Sequence, residues 1–357
     1  MTQKSLSIQE ATPTDAKVTE ELAFLIRGFF ATPVISSLGM NGALKVILNL
    51  GEFTPDDFTE IPNKQLLYYS FRYLARIGLL ESDDEAAKRY RLSALGRQVF
   101  QRANSFYAPH SYREYMHQFG EQLMNSGPYQ KQKVDRLENI IGSGRTHERY
   151  FPPAVSYLKR KVKFDLLADI GCGDGRFLEF ALKGVPSANV VGIDLSEVSV
   201  ETTAKNLKQK FPGREIRTIC ADASDVKKWS EPLKQLAGEK TVAISMWFLL
   251  HEISRSEPKN VLNFLKQVHT LFPKSHLVIC ELVRQSPEVL TRFRKEMIMP
   301  EYLLFHDISL QGVLSWNEYQ DILKNIPYRI ASERLFDETG EEGSKEPATF
   351  VWCLAPQ

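Results

Sequence analysis

The chain has 357 residues, 45 Lys and Arg against 44 Asp and Glu, a formal net charge of +1 and 43% apolar residues. That length predicts two domains, the composition is that of an ordinary globular protein, and the near-zero charge argues against a nucleic-acid partner. No unbroken apolar run approaches the roughly 18 residues that span a bilayer and no signal-peptide core opens the chain, so no membrane partner and a cytoplasmic location are expected.

Residues 1–17 are polar and read as a frayed tail. The stretch 20–53 has a helical pattern with more apolar residues than one amphipathic stripe needs, which predicts burial of the surplus against another subunit. Pro33 predicts a kink or break there. Residues 65–77 form a second amphipathic helix stopped at Gly78. The pieces 79–81 and 90–92 flank a polar turn as a two-stranded wing, and Ser93 caps a further helix. Helix, helix and wing make a winged-helix shape, whose ordinary reading is DNA binding. Asp83, Asp84 and Glu85 in the wing would repel phosphate.

Residues 106–160 are rich in Tyr, His and Arg and read as helices separated by a loop at Gly142-Ser143-Gly144. Arg145 and Arg149 are candidate partners for a substrate carboxylate through bidentate pairing, and Tyr150 and Phe151 are candidates to stack near a cofactor. Next comes LLADIGCGDGRFLEFALKGVPSANVVGID, residues 166–194. An apolar strand ends in Asp169. Gly171, Gly173 and Gly175 then allow a tight turn with bare N–H groups, a helix follows, and a second strand ends in Asp194. This is a βαβ unit with a ligand crevice at its strand ends. A dinucleotide fingerprint wants Gly or Ala at position 176, where Arg176 stands.

The pattern D-x-G-x-G-x-G resembles the first motif of class I S-adenosylmethionine (SAM) methyltransferases. That resemblance implies that Asp169, Gly171, Gly173 and Gly175 lie by the methionine part of SAM and that Asp194 takes the ribose hydroxyls. It implies contacts from Leu195, from Asp222 and Ala223 at the adenine edge, and from Met246 on strand four. Further strands are expected over 215–220, 242–248, 276–282, 328–336 and 349–354, the last two as a hairpin around a solvated acidic loop. The fold class expected is α/β: a Rossmann-like seven-stranded class I methyltransferase sheet behind an N-terminal, mainly helical, winged-helix-like domain. The expected division is 1–105 for dimerisation, 106–160 as connector and lid, and 161–357 for methyl transfer. Four cysteines without short paired spacing read as reduced, and those in or beside strands as buried.

The stretch after strand four, MWFLLHEISRSEP, resembles small-molecule O-methyltransferases, whose histidine deprotonates the acceptor hydroxyl; His251 matches it. The N-terminal domain resembles their dimerisation domain, which implies a homodimer. A second His-acid pair, His306-Asp307, follows strand five. Together His251 and His306 resemble the pair that holds a catalytic divalent metal or non-haem iron in 2-oxo acid C-methyltransferases such as the phenylpyruvate enzymes. The leading expectation is therefore metal-assisted C-methylation of a small 2-oxo acid, with His251 and His306 as catalytic residues and metal ligands. O-methylation with His251 as base and a non-catalytic SAM-binding regulator are the alternatives.

Overall fold

The computed structural model describes residues 14–82, 88–127, 132–255, 257–292, 299–337 and 339–357, with the side chains of Arg145 and Arg292 left aside. The chain forms two compact units, Met1–Phe106 and Tyr107–Gln357.

In the first unit a helix spans Asp15–Met40, its Thr14 cap accepting a hydrogen bond from the Lys17 N–H. Part of the expected tail is thus helical. The helix continues through Pro33, and the chain breaks instead at Gly42, whose φ of +80° suits a left-handed residue, before Ala43–Asn49. Leu22, Phe24, Leu25, Ile26, Phe29 and Phe30 are all more than half exposed. By length and composition alone this helix is apolar enough to cross a bilayer. Counting unbroken apolar runs hid that, because Glu20, Glu21 and Arg27 interrupt the run.

Three short strands, β1 (Glu52–Phe53), β2 (Leu80–Glu81) and β3 (Tyr90–Leu92), pair antiparallel in the order β1-β3-β2. The wing is therefore three-stranded rather than two-stranded. It is anchored by aromatic packing: the buried Phe53 and Phe71 rings meet at 5.3 Å and 78°, and Phe71 meets Tyr90 at 5.6 Å. Ser93 caps its helix as expected, accepting from the Gly96 N–H at 2.9 Å. Asp83, Asp84 and Glu85 lie outside the described residues.

The second unit is built on seven strands: β4 (Leu166–Ile170), β5 (Asn189–Asp194), β6 (Ile216–Cys220), β7 (Val242–Trp247), β8 (His276–Leu282), β9 (Tyr328–Phe336) and β10 (Thr349–Pro356). Their order is β6-β5-β4-β7-β8-β10-β9. The first five run parallel, and β10 lies antiparallel to both β8 and β9. Parallel strands covered on both faces read as continuous apolar runs, and LLADI is buried at all five positions. Along β10, Phe350, Trp352 and Leu354 enter one core with Trp229 and Tyr319, while Val351 and Cys353 enter the other with Phe151 and Leu178. The strand order reverses at β4, between β5 and β7, which opens a crevice at the carboxyl ends of these strands.

Two expectations need correction. The Gly142-Ser143-Gly144 stretch is not a loop but the middle of the helix Arg136–His147. A Cβ at Gly142 would stand 2.6 Å from the Ala108 backbone nitrogen, so glycine serves close packing there. All four cysteines are free as expected, but Cys220 is exposed while Cys172, Cys280 and Cys353 are buried.

Candidate active site

The turn after β4 is held by backbone bonds: the Gly171 and Cys172 N–H groups both donate to the Ile193 carbonyl, at 2.7 and 3.0 Å. Gly171, Gly173 and Gly175 have φ of +78°, +54° and +77°, a region that strains other residues. A Cβ at Gly175 would come within 2.9 Å of Thr203, and one at Gly171 within 3.2 Å of Leu249. Asp194 at the end of β5 accepts from the Gly173 N–H at 3.0 Å and the Ser196 N–H at 2.9 Å. Burial raises its carboxyl above the ordinary value against the pull of those donors. Each oxygen keeps a lone pair for a further donor, as a diol recognition site requires. Asp169 is buried beneath the turn, accepts from the Ser245 hydroxyl at 2.7 Å, and is lifted to about 8 chiefly by desolvation.

Above this floor lies a crevice of about 300 Å³. Asp169, Gly171, Gly173, Asp194, Leu195, Asp222 and Ala223 all line it, whereas Gly175 does not: it caps the helix Arg176–Gly184 and packs toward Thr203. Asp222 also caps its own turn, its Oδ1 taking the Ser224 N–H at 2.8 Å. Met246 does not line the crevice. Side chains alternate along β7, and this one is fully buried in the core, so Trp247 and Phe248 face the crevice instead. Phe248 turns the chain out of the sheet with φ of +51°, a strained value for an aromatic residue, and its ring stacks on His147 with centroids 3.7 Å apart.

One wall is the helix Arg136–His147. Arg136, Asn139, Ile140, Ser143, Gly144 and His147 recur at helical spacing and all face the crevice. The sequence signal for this wall was the small-residue pair, taken for a loop. Of the arginines proposed for a substrate carboxylate, Arg149 points elsewhere: its guanidinium donates to the Thr339 carbonyl at 3.3 Å and covers the Tyr150 ring at 4.8 Å. The side chain of Arg145 lies outside the described residues. Phe151 lines the crevice and Tyr150 does not.

His251 follows β7 at the crevice edge and is 6% exposed. Its Nδ1–H donates to Glu281 Oε1 at 2.8 Å. Glu281, fully buried on β8, also accepts from the backbone N–H groups of Leu250, His251 and Leu282, so its carboxylate is fixed by four donors. Burial would lower the His251 pKa, but the facing Glu281 carboxylate outweighs it, and the net shift is upward. Glu281 was missed in the sequence, where an acid inside the apolar run HLVICEL was the available signal. His306, on the helix Met299–Ile308, lines the same crevice with its ring centroid 4.8 Å from that of His251. Its Nδ1–H donates to the Tyr302 carbonyl at 2.5 Å, and burial together with the neighbouring His251 holds its pKa near 3. Among the described residues no group of three His, Cys, Asp or Glu side chains is placed to hold a metal ion. Catalytic metal sites ordinarily have three protein ligands, so the two imidazoles alone fit a metal poorly.

Residues 167–270 match the family model described as a methyltransferase domain. The O-methyltransferase cnsE of Penicillium expansum is 29% identical over 181 residues, which cover 49% of this chain and 59% of that protein. The match thus spans little more than half of the curated relative's length. Among solved structures, human N-acetylserotonin methyltransferase in complex with SAM superimposes with a TM-score of 0.64 at 13% identity, over 98% of this chain and 99% of that one. A putative O-methyltransferase from Nostoc punctiforme gives 0.62 at 12% identity, over 96% and 100%. At such identities the likeness is one of fold. The chain has the class I methyltransferase fold behind an N-terminal helical region, and its central segment is the part that matches a methyltransferase domain.

Proposed function

We propose that the protein is a SAM-dependent methyltransferase of small molecules, and that it carries out O-methyl transfer with His251 as the base. The observation that carries this reading is the Glu281–His251 pair at the rim of a crevice floored by the glycine turn and Asp194. SAM, when bound, supplies an electrophilic methyl group. The bare glycine turn admits it and Asp194 holds its ribose. Burial excludes water, and His251 Nε2 takes the acceptor's proton. The imidazolium so formed is stabilised by Glu281, whose bond to Nδ1 fixes the ring. The curated relative and the solved neighbours named above, all described as methyltransferases, support this reading.

Methyl transfer from labelled SAM to a panel of phenols, set beside His251→Gln, tests it. The variant should lose on the order of 10²- to 10⁴-fold in turnover while binding S-adenosylhomocysteine as before. Full turnover in the variant contradicts the assignment, and SAM binding without turnover of any acceptor supports the non-catalytic alternative.

Metal-assisted C-methylation of a 2-oxo acid is the second reading, favoured by the meeting of His251 and His306 in one crevice. The two rings would be the metal's protein ligands. Metal content of the purified protein, and 2-oxo acid turnover with and without chelator, separates it from the first.

We also infer a homodimer, because the apolar side chains exposed along Asp15–Met40 amount to far more than scattered surface residues. Light scattering should give twice the chain mass for the wild type and a single chain for Phe29→Glu. A monomeric wild type contradicts the inference.

A further inference from the structure

His251 and His306 are fixed in the same tautomer by different means. His251 gives its Nδ1–H to the Glu281 carboxylate, and His306 gives its Nδ1–H to the Tyr302 carbonyl, an oxygen that only accepts. When neutral, each ring therefore keeps its Nε2 lone pair as an acceptor, and both rings line one crevice with centroids 4.8 Å apart. No described residue donates to either Nε2. An acceptor atom withdrawn from water without a donor is costly, so a bound molecule that displaces water here must bring two donors of its own. A shared metal would satisfy both lone pairs as well, but the described residues bring no third ligand. Beside the pair, Phe305 stacks on His306 at 27° and on Tyr112 at 20°, so one side of the crevice is a run of flat rings.

We propose that the methyl acceptor carries two hydroxyl groups on adjacent atoms of a flat ring, one bonded to each Nε2. The proposal rests on the O-methyl reading and names its substrate class. The hydroxyl at His251 gives its proton to Nε2, and its oxygen forms the new bond to the methyl carbon. The carbon–sulfur bond of the donor breaks with its electron pair left on sulfur, yielding the thioether. The second hydroxyl keeps its proton and donates to His306, whose weak basicity makes it an acceptor only. His306 thus selects which oxygen reaches the base. Two hydroxyls on adjacent ring atoms can each meet one of two imidazoles whose centroids lie 4.8 Å apart.

The test measures kcat/KM with SAM for catechol, resorcinol and phenol, in the wild type, His306→Phe and His306→Gln. Catechol should lead phenol by at least about tenfold, the worth of one good hydrogen bond. Resorcinol should fall near phenol. In His306→Phe the catechol advantage should shrink toward one through a rise in its KM. His306→Gln, which keeps a side-chain acceptor, should retain part of it. Unchanged affinity for S-adenosylhomocysteine, read by calorimetry, shows that both variants are folded. Equal turnover of phenol and catechol in the wild type, or an undiminished catechol advantage in folded His306→Phe, overturns the proposal and leaves O-methyl transfer standing. Turnover of 2-oxo acids with none of the three phenols overturns both.

Discussion

Neutral His251 is the form that accepts a proton, so the pH at which it sheds its charge governs turnover. Its raised pKa arises where the Glu281 carboxylate overcomes the effect of burial. The rate should therefore climb with pH through a midpoint above the ordinary histidine value of about 6.5. Glu281→Gln removes the charge that favours the imidazolium and leaves burial acting alone, so the midpoint should move down. The same substitution leaves a hydrogen-bond acceptor but a poorer one for the charged ring, so the plateau rate should fall too. A pH profile of kcat/KM for both proteins checks this, and an unmoved midpoint would mean that another group is the base. His147 is held near 3 by burial and by His251, so it stays neutral throughout that range and adds no second limb.

At the scale of elements, the helix Arg136–His147 decides the shape of the crevice, and its glycines decide where it lies. A valine at position 142 would drive its side chain into the backbone of Ala108, where even a Cβ stands at 2.6 Å. Gly142→Val should cost about 1 to 3 kcal/mol in denaturant unfolding, the usual penalty of overpacking, and should weaken SAM binding through the displaced wall. A variant as stable as the wild type would show that the helix is free to shift. The same helix shows what was and was not legible in the sequence. Strands with continuous apolar runs were read to within a residue or two, as with 166–170 and 276–282, because burial on both faces writes itself into composition. Gly-Ser-Gly was misread because glycine lowers local helix propensity while tertiary packing demanded it. No break falls at Pro33, since its helix tolerates one missing hydrogen bond and the chain leaves it at Gly42.

For the whole molecule, the donor side of the site was more legible than the acceptor side. Glycines at fixed spacing and acids ending two strands are local patterns, and the fold carries Asp169, Gly171, Gly173 and Asp194 to one crevice floor, with Gly175 capping the helix that follows. The acceptor side is assembled from distant segments. Glu281 reaches His251 from the next strand, and His306 arrives from a helix 55 positions further along the chain. No periodicity announces such a meeting. Arg149 shows the converse, since a sequence position beside the crevice wall says nothing about which way a long side chain turns. The methyl-donor site is where Asp169, Asp194 and the left-handed Gly171 and Gly173 converge. Titration calorimetry with S-adenosylhomocysteine tests it most directly. One molecule should bind per chain, and Asp194→Ala, which deletes the ribose partner, should weaken binding by at least about tenfold, or 1.4 kcal/mol. No binding to the wild type, or equal affinity in the two proteins, would contradict it.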